Sequence, residues 1–189
     1  MRETTSPRVI RKALSEAIWG YVFLYFNLNI GAVDLLPEFV GWILLLSAVR
    51  GLEGERRDLK LLRPFACVMI VLSVLEWLGS FLGLSVGGLF LPLDLVIAAV
   101  RLYFHFQFLT DCAALAWEYA APVVRCRLLR WRTAQAVMHT VSMLLVCFLP
   151  GLEEWGSAVV AVLAGANIVV VLCVMAALCA LRRLFPAGA

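Results

Sequence analysis

Residues 93–120 read LDLVIAAVRLYFHFQFLTDCAALAWEYA. An α-helix rises about 1.5 Å per residue, so roughly 20 apolar residues cross the ~30 Å hydrocarbon core of a bilayer. This stretch is longer than that and mostly apolar, yet it holds Asp94, Arg101, His105, Gln107, Asp111 and Glu118. The chain around it argues for a membrane. Of 189 residues, 63% are hydrophobic and 15% charged, with a mean hydropathy of +0.96. A soluble domain would carry about a quarter charged residues.

Six apolar runs emerge, at 13–31, 36–50, 64–84, 92–119, 134–149 and 157–181. The second and fifth are short, the fourth and sixth long; thinning of the bilayer, tilt or projection absorbs such differences. No segment alternates with period two over a useful length, so strands are not expected. The predicted fold is all-α, a polytopic membrane bundle of six transmembrane helices in one domain, 13–183. A cytoplasmic segment, 1–12, precedes it and a short tail, 184–189, follows. The opening residues MRETTSPRVIRK are polar and no A-x-A-like cleavage site follows them, so the first run is expected to be retained as a span.

Basic residues set the orientation. Arg2, Arg8, Arg11 and Lys12 precede the first run, and Arg50, Arg56, Arg57, Lys60 and Arg63 follow the second. Arg125, Arg127, Arg130 and Arg132 follow the fourth, and Arg182 and Arg183 the sixth. Only Arg101, of the 16 lysines and arginines, lies inside a span. The opposite loops hold Asp34, Glu38, Glu153 and Glu154 with no basic residue, so the positive-inside rule places both termini in the cytoplasm. Those loops read LLPE, FLPLD and FLPGLEE, which hints at three serial helical hairpins. Proline in a first turn and an acid complementing the macrodipole produce the same pattern without duplication.

Cofactor chemistry is not indicated. The six cysteines form no C-x-x-C, the only histidines are His105 and His139, and no phosphate loop or nucleotide fingerprint occurs. No metal and no cofactor are expected. The basic residues serve topology, so nucleic acid is not an expected partner.

Ionisable residues within spans are costly and point to function by default. At about 100° per residue, Asp94, Arg101 and His105 share one stripe of the fourth run and Gln107, Asp111 and Glu118 another. Glu76 lies about 12 Å below residue 84 and Arg101 about 13 Å below Pro92, which predicts a Glu76–Arg101 ion pair between antiparallel neighbours. Asn27, Asn29 and Asp34 belong to FNLNIGAVDLLPEFVGW, residues 26–42, which either turns in external water or dips inward as a re-entrant loop. The candidate site is therefore Asn27, Asn29, Asp34, Glu76, Asp94, Arg101 and His105, an outward-facing polar pocket. In it either Arg101 would clamp an anionic group or His105 would relay a proton near neutral pH.

Two functions fit these residues. One is a small-solute or ion transport component, acting with copies of itself or with another membrane subunit. The other is a non-catalytic assembly or regulatory subunit whose buried polar residues serve helix packing. A third class, less expected than either, is an intramembrane enzyme acting on lipids or peptides, for which His105, Asp111 and Glu118 are the only candidates. Ala13, Ala17 and Gly165 offer small surfaces for close helix contact.

Asn29, Ile30, Gly31, Asp34, Leu36, Pro37, Gly41 and Trp42 form an N-I-G-x-x-D-x-L-P-x-x-x-G-aromatic pattern. On this pattern, the first 65 or so residues resemble small multi-spanning membrane proteins, themselves uncharacterised, of Clostridia-like Gram-positive bacteria. The resemblance implies a bacterial plasma-membrane location and carries no established activity. In size, helix number and topology the chain also resembles, more loosely, the substrate-binding subunits of energy-coupling-factor transporters. Those dock a partner through an A-x-x-x-A surface, a role the resemblance would give to Ala13 and Ala17. Their glycine-rich second helix is missing here.

Overall fold

The structure is a computed structural model that describes residues 6–26, 29–30, 33–34, 37–81, 91–148 and 156–185. The described chain is all-helical apart from one minute ladder. Its helices are α1 (Pro7–Tyr25), α2 (Glu38–Leu52), α3 (Leu62–Phe81), α4 (Leu91–Glu118), α5 (Pro122–Phe148) and α6 (Gly156–Arg182), with a 3₁₀ turn at Arg57–Leu61 before α3. Between α1 and α2, β1 (Asn29–Ile30) and β2 (Val33–Asp34) pair antiparallel, with Asn29 opposite Asp34 and Ile30 opposite Val33. Two paired residues are too few to leave an alternating pattern, which is why no strand is legible in the sequence.

Among the described residues three segments are long and apolar enough to cross a membrane: Asp58–Gly79, Asp94–Glu118 and Ala161–Arg182. The other helices fall short for different reasons. α2 has 15 residues, about 22 Å at the helical rise. α1 carries Arg8, Arg11, Lys12 and Glu16. α5 holds Arg125, Arg127, Arg130 and Arg132 in its opening turns, so the run expected from residue 134 onward is the C-terminal part of a longer helix. That extension has a local cause. Proline is pre-set for a helix's first position, here Pro122, and arginine is a good helix former.

The corner before Pro122 is a Schellman motif. Ala121 N–H donates to Ala116 O at 2.9 Å and Ala120 N–H to Trp117 O at 3.1 Å. Ala120 takes the left-handed conformation, φ 54°, that the motif demands at this position.

The helices close a ring in chain order, each packing on its neighbours in sequence and α6 returning to α1. The α1–α2 crossing is very close. A Cβ on Gly41 would lie 2.9 Å from Gly20 O, and one on Gly51 would lie 2.7 Å from the Ala13 Cβ. Small residues let the two backbones approach, as they do between membrane helices generally. Ala13, against Gly51, and Ala17 are both buried within the chain, so they do not form a docking surface for another subunit. Gly165 is the converse case: a Cβ there meets nothing within 4 Å among the described residues, so it mediates no close helix contact with them.

α3 against α4 is the slightest contact of the ring; α3 leans on α2 instead. α1 and α2 also stop short. Glu38, the first residue of α2, pairs with Arg101, and Arg101 lies ten residues, about 15 Å, from the start of α4. The helical parts of the α1–α2 hairpin therefore end partway along the longer helices, where Glu38 meets Arg101 of α4.

Candidate functional site: a polar cluster among four helices

Four helices each contribute one i, i+4 pair. α1 supplies Tyr21 and Tyr25, α2 Glu38 and Trp42, α4 Arg101 and His105, and α5 Gln135 and His139. Residues four apart stand one above the other on a helix face. Each pair thus lines a short strip, and the strips converge where the α1–α2 hairpin ends.

On the α2 side, Glu38 Oε1 accepts from the Arg101 guanidinium in an ion pair and from Trp42 Nε1–H at 3.3 Å. The guanidinium carbon also lies 5.9 Å from the centre of the Trp42 ring. An arginine held by a carboxylate and an aromatic face keeps both its charge and a fixed direction. Trp42 is fully buried and packs edge-on against Phe104, ring centres 5.2 Å apart.

His105 forms the centre. It is 4% exposed and ringed by aromatic groups, with ring centres at 5.2 Å to Tyr21, 5.9 Å to Tyr25, 5.6 Å to Trp42 and 5.7 Å to Phe104. Its Nδ1 shares a 3.1 Å hydrogen bond with the Tyr21 hydroxyl. Tyr21 stacks on Tyr25, whose hydroxyl accepts from Gln135 Nε2 at 2.9 Å. His139 Nε2 lies 3.3 Å from the Ala98 carbonyl oxygen on α4. Two buried polar atoms in this cluster, His105 Nε2 and Gln135 Oε1, have no hydrogen-bond partner among the described residues.

The sequence expectation is corrected at Arg101. Its ion-pair partner is Glu38 and not Glu76. The prediction rested on helices joined by a short turn packing closely, whereas α3 stands wide of α4 and the start of α2 reaches Arg101 instead. Glu76 is exposed on α3, within electrostatic range of Glu38, Arg101 and Asp94 but outside the pair. Asp94 is exposed in the first turn of α4. Asn29 and Asp34 face each other in register across the small ladder, and Asn27 lies outside the described residues. The structure thus brings Arg101 and His105 together, adds Glu38, Trp42, Tyr21, Tyr25, Gln135 and His139, and sets Glu76 and Asp94 at the margin.

The second stripe of α4 does other work. Gln107 Nε2 donates to the buried Asp111 at 3.2 Å, and Glu118 pairs with Arg56 at 3.1 Å. His105, Asp111 and Glu118, the residues available to an intramembrane enzyme, thus engage three separate partners. Near Glu118, described residues from all four basic groups of the sequence gather at one end. Arg11 donates to the Phe185 carbonyl oxygen at 3.0 Å, Arg182 to Ser15 Oγ at 3.2 Å, and Arg63 pairs with Glu53.

Comparison with known protein families, with curated proteins and with solved structures finds no match. The likeness of the opening 65 residues to small multi-spanning proteins therefore stays a likeness of motif.

Proposed function

We propose that this chain is a plasma-membrane component that binds and passes a small solute or ion, with the Arg101–Glu38–His105 cluster as its site. One observation carries the reading: two buried polar atoms without hydrogen-bond partners among the described residues, His105 Nε2 and Gln135 Oε1, stand in a cluster that also holds an ion pair. An unsatisfied buried donor or acceptor costs about 1–3 kcal/mol, and a bound molecule or ion that satisfies both removes that cost. Helix ends meeting continuous helices partway through a bundle are also where membrane transporters place their polar sites.

The wider reading has six membrane-inserted helices with both termini cytoplasmic. α1 and α2 enter from the cytoplasmic end as a partial hairpin, and the site opens outward. The gathering of basic residues at one end supports this orientation. So small a bundle would work as an oligomer or with a partner subunit. The test is native mass spectrometry and thermal unfolding of the full chain in the lipids it is extracted with. A small-molecule or ion adduct that stabilises the protein and is lost in both Arg101→Ala and His105→Ala supports the site.

A second reading is favoured by the ion pair itself. Arg101 is already neutralised by Glu38 and braced by Trp42, so the cluster would serve to pin α1 and α2 to α4 and α5 in an assembly or regulatory subunit. It predicts that these variants fold less stably while no adduct is ever seen and another protein co-purifies stoichiometrically.

A further inference from the structure

The arginines at the start of α5 fall into two sets. Arg125 lies over the Trp117 ring at 4.6 Å, and Arg132 lies over the Phe106 ring at 4.1 Å and donates to Thr110 Oγ1 at 3.0 Å. Those two, seven residues apart, turn towards α4 and fasten the hairpin. Arg127 and Arg130 lie on the opposite side of the helix, are exposed, and make no ion pair, hydrogen bond or ring contact among the described residues.

Nothing on the flanking helices answers their charge. α5 and α6 contain no acidic residue. On α4 the two acids at this end are taken, Asp111 being buried against Gln107 and Glu118 paired with Arg56. Further along the same face of α5 the surface becomes apolar. Val137, Val141 and Leu144 continue the stripe at helical spacing and are 55%, 37% and 49% exposed. Val137 lies seven to ten residues beyond the arginines, about 10–15 Å along the axis. The face thus has a cationic head and an apolar body of the proportions of a membrane lipid.

We propose that Arg127 and Arg130 hold the phosphate of an anionic phospholipid whose acyl chain lies along Val137, Val141 and Leu144. Residues three apart on a helix are near enough for two guanidinium groups to share one phosphate, and arginine matches phosphate oxygens in pairs. The inference rests on the bilayer reading above and is independent of what the central cluster binds.

The test uses the full chain in phosphatidylcholine nanodiscs that contain phosphatidylglycerol as the minority lipid, with bound lipids counted by native mass spectrometry. Wild type should retain phosphatidylglycerol selectively. Arg127→Gln/Arg130→Gln should lose that selectivity by about thirtyfold, as expected for two interfacial arginines. Arg127→Lys/Arg130→Lys should keep much of it. The charge-matched control Arg50→Gln/Lys60→Gln alters exposed basic residues elsewhere at this end and should change little. Equal losses in the two glutamine variants, no selectivity in wild type, or release of the lipid by inorganic phosphate would each overturn the site while leaving the bilayer reading in place. A chain that does not enter nanodiscs at all overturns both.

Discussion

The two pairs of chain neighbours α1–α2 and α3–α4 have opposite characters. The first crosses so closely that the backbones of Gly20 and Gly41 touch, and the second makes the slightest contact of the ring. Chain connection is equally direct in both, so connection does not decide which helices pack. Small residues in register do. Gly20 and Gly41, with Ala13 opposite Gly51, let α1 and α2 approach, and that approach carries Glu38 to Arg101. α3 brings bulky residues such as Val71, Leu75 and Leu78 to its exposed surface and leaves Glu76 outside.

The sharpest way to break this comparison is Gly41→Val. A Cβ there lies 2.8 Å from Leu24 Cγ and 2.9 Å from the Gly20 carbonyl oxygen, which is backbone and cannot swing away. A loss of about 3 kcal/mol or more, or failure to fold, is expected from overpacking. Gly165→Val, at a position with open space, should unfold within a degree or two of wild type. Similar thermal midpoints for the two variants in the same detergent would refute the close-crossing account.

Next in size is the ion pair. Glu38→Gln leaves Arg101 without its counter-charge in a partly buried site and should cost about 2 kcal/mol. Glu76→Gln removes an exposed acid outside the pair and should stay within about 0.5 kcal/mol. If Glu76→Gln proved the more damaging in thermal unfolding, the pairing would have to be reassigned to α3.

The smallest effect has the opposite sign. Ala120 holds a left-handed conformation that costs an L-residue about 1 kcal/mol and costs glycine almost nothing. Ala120→Gly should therefore raise the unfolding temperature slightly and leave any ligand adduct unchanged. A lowered midpoint would show that the α4–α5 corner is not limited by that strain.

Much of the architecture is legible in the sequence, because apolar runs and charge placement report local cost. A long apolar helix with its basic residues gathered beyond one end announces itself whatever its neighbours are. Arg101 and His105 stand out for the same reason, as polar groups inside an apolar run. Tyr21, Tyr25, Trp42 and Gln135 do not, since aromatic and amide side chains are unremarkable in such helices. The signal that would have found them is the shared i, i+4 spacing of the four pairs, which gains meaning only once the four helices are known to face one another.

What the sequence determined alone was therefore the helical class, the apolar character of the long helices and the unusual load carried by α4. All of these follow from residue-by-residue transfer and propensity. The tertiary structure decided which carboxylate meets Arg101, where the α1–α2 hairpin ends along α4, and which arginines of α5 turn inward. Those outcomes depend on how closely two backbones can approach, a property of pairs of surfaces that no single run of residues contains.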